Sequence, residues 1–229
     1  MSRRLEPPPP RALVFDLDGT LVDSRRDLAT ALNRTRAELG LPPLMLAEVV
    51  GMVGEGARRL VEKAIGPDVP PERFEPVFGR YLQHYRAVLL DTTRPYDGVP
   101  EALERLAARY PLAVLTNKPE ELSRALLAGL GLLGWFAALL GGDSLPSRKP
   151  DPAGLLHLAA RLGAPPADVL LVGDSAIDAA TARAAGARFA LVTWGFPRPA
   201  DLAAVPADAR YATPGELAAA FVTAAGRAG

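Results

Sequence analysis

The stretch VFDLDGTLVDS occupies residues 14–24. Four apolar residues, Ala12 to Phe15, run straight into Asp16, and Asp18 follows one leucine later. A short apolar run that ends in turn chemistry reads as a buried strand. Two carboxylates at its end, with no basic residue between them, have two readings. The strand leaves the core through a polar turn, or the pair is held together for chemistry. Residues i and i+2 share a strand face, and Gly19 permits a tight turn just after them, so both side chains can reach one group.

The rest of the chain decides between these readings. LAVLT (112–116), DVLLV (168–172) and FALVT (189–193) also read as strands, with FAALL (136–140) a weaker candidate. Near-continuous apolar strands are buried on both faces, the habit of parallel sheets. Helical patterns separate them near 98–109, 119–130, 152–162 and 175–185, and another closes the chain near 214–225. The alternation predicts an α/β fold: a Rossmann-like, mostly parallel sheet flanked by helices.

One interval breaks the rhythm. About ninety residues without a strand pattern separate the first two strands, with helix-like segments near 24–39, 56–65 and 72–90. Gly40-Leu41-Pro42-Pro43, Gly66-Pro67 and Pro70-Pro71 punctuate them. Ordinary connections are a handful of residues, so this is an inserted helical module. It departs right after the two aspartates and is placed to cover them. The expected organisation is a proline-rich tail over 1–10, an α/β core over 11–22 and 96–229, and an α-helical cap over 23–95.

Composition excludes several functions. The 229 residues carry 26 Lys+Arg and 26 Asp+Glu, a zero balance that gives no footprint for nucleic acid or an anionic membrane. There is no cysteine, which removes disulfides, thiolate metal sites and cysteine nucleophiles. His84 and His157 lack ligand-like spacing. The start has arginines but no apolar run behind them, unlike a signal peptide. The uncharged run 125–142 is broken by glycines and is shorter than the ~20 residues a membrane span needs. The cytoplasm is the expected compartment.

In open parallel sheets, ligands sit at the carboxyl ends of the strands. The first strand ends in Asp16 and Asp18, and the second in Thr116-Asn117-Lys118. The fourth ends in Gly173-Asp174-Ser175 with Asp178 beyond, and Arg148-Lys149-Pro150 precedes the helix at 152. The fold thus gathers Asp16, Asp18, Asp174 and Asp178 at one edge, near Thr116 and Lys149. Such a cluster repels itself, and one lysine cannot balance it. An oxygen-only donor set points to magnesium, which readily shares its shell with a phosphate. The expected substrate is therefore a small phosphorylated metabolite, handled by a monomer or homodimer without nucleic acid or membrane. One aspartate attacks phosphorus and the other supplies a proton to the leaving alcohol. Thr116 and backbone amides near Leu17 and Asn117 can hold phosphoryl oxygens, and Lys149 can neutralise charge.

FDLDGT (15–20), LTNK (115–118), RKP (148–150) and GDSAID (173–178) resemble the four motifs of the haloacid dehalogenase-like hydrolase superfamily. The resemblance spans nearly the whole chain after the proline tail. It implies Asp16 as nucleophile, Asp18 as general acid/base, Thr116 on the phosphoryl group and Lys149 on the intermediate. It implies magnesium held by the Asp16 side chain, the Asp18 backbone carbonyl and Asp174, with Asp178 orienting the metal shell or Lys149. Within the superfamily the chain looks most like the phosphoglycolate phosphatases, through LVDSRRDLATALN (21–33), VGEGARRLVEKAIG (53–66), RPYDGVPEAL (94–103) and LTNKP (115–119). Residues 44–50 and the proline-rich start show no pattern of that family.

That resemblance implies a phosphatase acting on 2-phosphoglycolate. Related sugar-phosphate and nucleotide phosphatases, a pyrophosphatase and a phosphomutase share much of the same site. A non-enzymatic phospho-acceptor module lacks the insertion and the Asp-x-Asp-Gly-Thr turn. Gly19, Thr20, Asn117 and Lys118 are expected around the substrate. Arg58, Arg59 or Lys118 is expected to meet a substrate carboxylate, against the plainer reading of a solvated basic face.

Overall fold

The strand β1 (Ala12–Phe15) is buried along its whole length, at the centre of a sheet. The computed structural model describes residues 9–66, 69–196 and 203–222. Most of the expected tail, and the end of the last predicted helix beyond 222, lie outside them. β1 pairs in parallel with β4 (Leu112–Leu115) on one side and β6 (Val169–Gly173) on the other. Phe15 thereby sits opposite both Val114 and Val172. β5 (Ala138–Leu140) extends the sheet beyond β4, and β7 (Arg188–Val192) and β8 (Ala209–Tyr211) extend it beyond β6. The order is β5-β4-β1-β6-β7-β8 and every pairing is parallel.

Period-two alternation sends the strand side chains to two apolar layers. Leu13 and Phe15 join Leu112, Val114 and Val172 against α5 (Val99–Ala107), α6 (Glu120–Gly129) and α9 (Pro214–Val222). Ala12 and Val14 join Ala113, Leu115 and Leu171 against α7 (Ala153–Arg161) and α8 (Ala176–Ala185). Burying one such side chain contributes about 1.5–3 kcal/mol. β8 escaped the sequence reading because it is a half-exposed edge strand of three residues, Ala-Arg-Tyr, with no apolar run.

The insertion leaves through β2 (Val22–Asp23) and returns through β3 (Arg94–Pro95), which pair as an antiparallel ribbon. Between them lie α1 (Arg25–Glu38), α2 (Leu46–Met52), α3 (Ala57–Ile65) and α4 (Phe74–Val88). α1 buries Leu28, Ala31, Leu32 and Thr35, and α4 buries Val77, Tyr81, Tyr85 and Val88. Both sets follow the helical spacing of an inward-facing stripe. α2 was not anticipated. Its seven residues are too few to show a period, and its start is fixed by the Met45 amide donating to Glu48 (2.7 Å). No helix among the described residues is long and apolar enough to cross a membrane.

Candidate active site

The sheet topology explains why distant motifs meet. β1 lies between β4 and β6, so the carboxyl ends of these three strands are neighbours. The ladder carries on into the site: the Asp16 amide donates to Val172 (2.9 Å) and the Thr116 amide to Leu140 (3.0 Å). After Asp16 the chain makes one tight turn, with the amides of Leu21 and Val22 both donating to the Leu17 carbonyl at 2.9 and 3.1 Å. Gly19 adopts a positive φ of 92° within it.

The turn gives the two aspartates different surroundings. Asp16 points into a buried acidic triad with Asp174 and Asp178, whose oxygens lie within 4.8 Å of one another. The Lys149 ammonium donates to Asp16 Oδ1 at 2.7 Å and to Asp178 Oδ1 at 2.6 Å. Burial pushes the Asp16 carboxyl up to about 6; Lys149 pulls it back down and Asp178 adds to the rise. Burial opposes the charge on Lys149, but the two carboxylates outweigh it and hold the ammonium well above the usual lysine range. Lys149 thus sits between two buried carboxylates, with Asp174 as the third member of the triad.

Asp178 is spoken for. Its second oxygen accepts from the amide (3.2 Å) and the hydroxyl of Ser175, whose Oγ accepts in turn from the Asp178 amide (3.3 Å). This reciprocal cap starts α8. The cap residue is Ser175, not Asp174, which belongs to the triad.

Asp18 lines a cleft between the sheet edge and the insertion and has partners of its own. Ser24 Oγ donates to it at 2.5 Å, and the Lys118 ammonium donates to both its oxygens at 3.0 and 3.1 Å. Asp16, Thr116, Asn117 and Lys118 also line the cleft, and Val53, Gly54, Gly56, Ala57, Leu60 and Tyr81 roof it from the insertion. The Asn117 amide group ties the two halves together, donating to the Gly54 carbonyl (2.9 Å) and the Lys149 carbonyl (3.0 Å). The buried Tyr81 hydroxyl has no hydrogen-bond partner among the described residues.

Of the residues expected near substrate, Asn117 and Lys118 line the cleft. Gly19 and Thr20 do not: Gly19 packs against Asp174, and Thr20 lines a small apolar hollow with Phe15, Leu103 and Trp194. Arg58 and Arg59 lie outside the lining as well. Arg58 forms a forked pair with Glu75 (2.7 and 2.9 Å) over the rings of Phe74 and Phe78, and Arg59 pairs with Glu62 (2.7 Å). The local carboxylates hold them on the exposed face of the insertion. Ser24, Tyr81 and Tyr85, which sequence reasoning did not single out, belong to the site. Only their helical spacing, Tyr81 and Tyr85 being one turn apart, hinted at a shared face.

Residues 10–186 match the family of haloacid dehalogenase-like hydrolases. The chain belongs to that family. Among its relatives are a phosphoglycolate phosphatase of Cereibacter sphaeroides, 45% identical over 80% of this chain and 85% of the relative, and one of Chromobacterium violaceum, 43% identical over 86% and 90%. A solved structure described as a predicted phosphoglycolate phosphatase from Haemophilus somnus superposes with a TM-score of 0.84, at 32% identity, covering 90% of this chain and 96% of that one. Family membership and these relatives mark the chain as a phosphatase. At the end of β1, then, Asp16 belongs to a triad that could hold a metal ion, and Asp18 lines the cleft under the insertion.

Proposed function

We propose that this protein is a magnesium-dependent phosphoglycolate phosphatase acting through an aspartyl-phosphate intermediate. The observation that carries the mechanism is the division of labour between Asp16, in the triad with Lys149, and Asp18, in the cleft. The triad fits a small hard cation. Its donors are carboxylate oxygens only, all buried. Asp16, Asp174 and the Asp18 backbone carbonyl would hold magnesium. Asp178, already bonded to Lys149 and Ser175, fixes Lys149 in place. The bound ion would neutralise charge on the phosphoryl oxygens.

An oxygen of Asp16 attacks phosphorus as the ester P–O bond breaks, and the departing alcohol oxygen takes a proton from Asp18. Water then attacks the aspartyl-phosphate and gives its proton to Asp18, releasing inorganic phosphate and the Asp16 carboxylate. The Thr116 hydroxyl and nearby amides hold the phosphoryl group while Lys149 offsets its charge. The substrate carboxylate is received under the roof of the cleft, where the buried Tyr81 hydroxyl has no partner among the described residues and the start of α3 lines the same cleft. The ribbon of β2 and β3 supports a core over 11–22 and 96–229 and a cap over 23–95.

A panel of phosphate monoesters assayed with magnesium tests the reading. The highest kcat/KM is expected for 2-phosphoglycolate, with turnover abolished in Asp16→Asn. A preference for sugar phosphates or nucleotides would overturn the substrate, and an active Asp16→Asn would overturn the nucleophile.

A further inference from the structure

Lys118 is the basic side chain in the lining of the cleft, yet it does not point at open space. Its side chain is only 3% exposed, and its ammonium straddles both oxygens of Asp18. The other side of the ammonium is taken by Tyr85 of α4, through the phenol hydroxyl and through the ring, whose centroid is 4.5 Å away. Tyr85 is itself fully packed, and Tyr81 stacks on it with ring centroids 5.9 Å apart. A row of contacts therefore runs from the insertion, through Tyr85 and Lys118, to the carboxylate of Asp18. Ser24, just after β2, donates to Asp18 Oδ1 and is hydrogen-bonded to Tyr85 as well.

A buried ion pair is weak grounds for a purely stabilising role, because desolvation offsets most of its attraction. Its geometry here matters more than its energy. A carboxylate held on both oxygens by one ammonium has a fixed direction, and that ammonium is placed by the insertion rather than by the core alone. We propose that Lys118 is the positioning residue for the acid/base Asp18, and that Tyr85 delivers it from the insertion. Docking of the insertion and alignment of the acid are then one event. This rests on the assignment of Asp18 as the proton donor.

The test compares kcat/KM, which reports phosphoryl transfer, for three substrates. These are 2-phosphoglycolate, propyl phosphate and p-nitrophenyl phosphate. The first two expel alkoxides that need a proton; the third expels a stable phenolate that does not. Lys118→Met should lose about 100-fold on both alkyl phosphates, the usual worth of a positioned acid, and less than about fivefold on the aryl phosphate. Lys118→Arg should recover part of the loss. Tyr85→Phe, which keeps the ring, should show the same selectivity at about five- to tenfold, near the worth of one hydrogen bond. In an Asp18→Asn background, Lys118→Met should cost little more, since the group it serves is gone.

Equal losses on all three substrates would reduce Lys118 to a structural role. A loss confined to 2-phosphoglycolate would make it a substrate-carboxylate ligand. Either result, no loss at all, or additive losses with Asp18→Asn, overturns the proposal. Wild-type protein that treats propyl phosphate and 2-phosphoglycolate alike would overturn the substrate reading alone, because the alkyl-to-aryl comparison stays readable.

Discussion

The Asp174 carboxylate occupies the space where residue 19 would carry a β-carbon. A Cβ built on Gly19 would lie 2.3 Å from Asp174 Oδ2 and 2.9 Å from its Cγ. The same glycine holds a φ of 92°, a region that L side chains rarely adopt. The turn after β1 and the third carboxylate of the triad thus depend on one missing side chain. Gly19→Ala should cost about 1–2 kcal/mol in backbone strain alone, and it should push Asp174 away from Asp16. Magnesium affinity measured by calorimetry is expected to fall at least tenfold, with the circular dichroism of the folded protein retained. Unchanged magnesium affinity would dissociate Gly19 from the metal site.

Asp16 gives stability a pH dependence of definite sign. Burial raises its carboxyl from 3.8 to about 6. Between those values the folded chain holds a proton that the unfolded chain has released, so this group's contribution to stability falls as pH rises from about 4 to about 6. A magnesium ion bound as proposed would compete with the same proton. Metal-free protein should therefore lose thermal stability across that window, Asp16→Asn should flatten the loss, and saturating magnesium should remove it. Thermal unfolding from pH 4 to 7, with and without magnesium, measures all three. A metal-free profile that Asp16→Asn leaves unchanged would refute the role given to this group.

Much of the site was legible because its members follow apolar runs. Asp16, Thr116 and Asp174 each end a strand whose burial is written in consecutive apolar residues, and adjacency of β1, β4 and β6 then brings them together. The alternation of strands and helices and the helical insertion were readable for the same reason. What escaped is non-local. Lys118 meets Asp18 across 100 positions, and Asp27 meets Thr92 across 65, with nothing in either neighbourhood to announce the partner. Arg58 and Arg59 illustrate the converse: their place on the first turn of α3 was visible, but the carboxylates that hold them on the outer face, Glu75 and Glu62, were not. β8 and α2 were missed because three and seven residues cannot display a period.

Asp27 ties the two ends of the insertion together. It lies in the first turn of α1, 1% exposed, and gathers the end of the insertion onto its beginning. Its carboxylate accepts from the amides of Thr92 (3.0 and 3.1 Å) and Thr93 (2.8 Å) and from both hydroxyls at 2.6 Å. Burial opposes the charge, but these donors prevail and hold the carboxyl below its usual range. Asp27→Asn replaces an acceptor oxygen with a donor that faces other donors. A hydrogen bond to a charged group is worth about 1.5–3 kcal/mol, so a loss of that order is expected at neutral pH. The sign with pH follows from the depressed carboxyl. Its contribution is present above the unfolded value near 4 and is lost as pH falls through the folded value. Urea unfolding should show the gap between wild type and Asp27→Asn narrowing once pH falls below the unfolded carboxyl value of about 4. Because this junction lies at the base of α4, which carries Tyr81 and Tyr85, kcat/KM should fall as well. A gap that stays constant from pH 7 to pH 3 would show that Asp27 does not act through its charge.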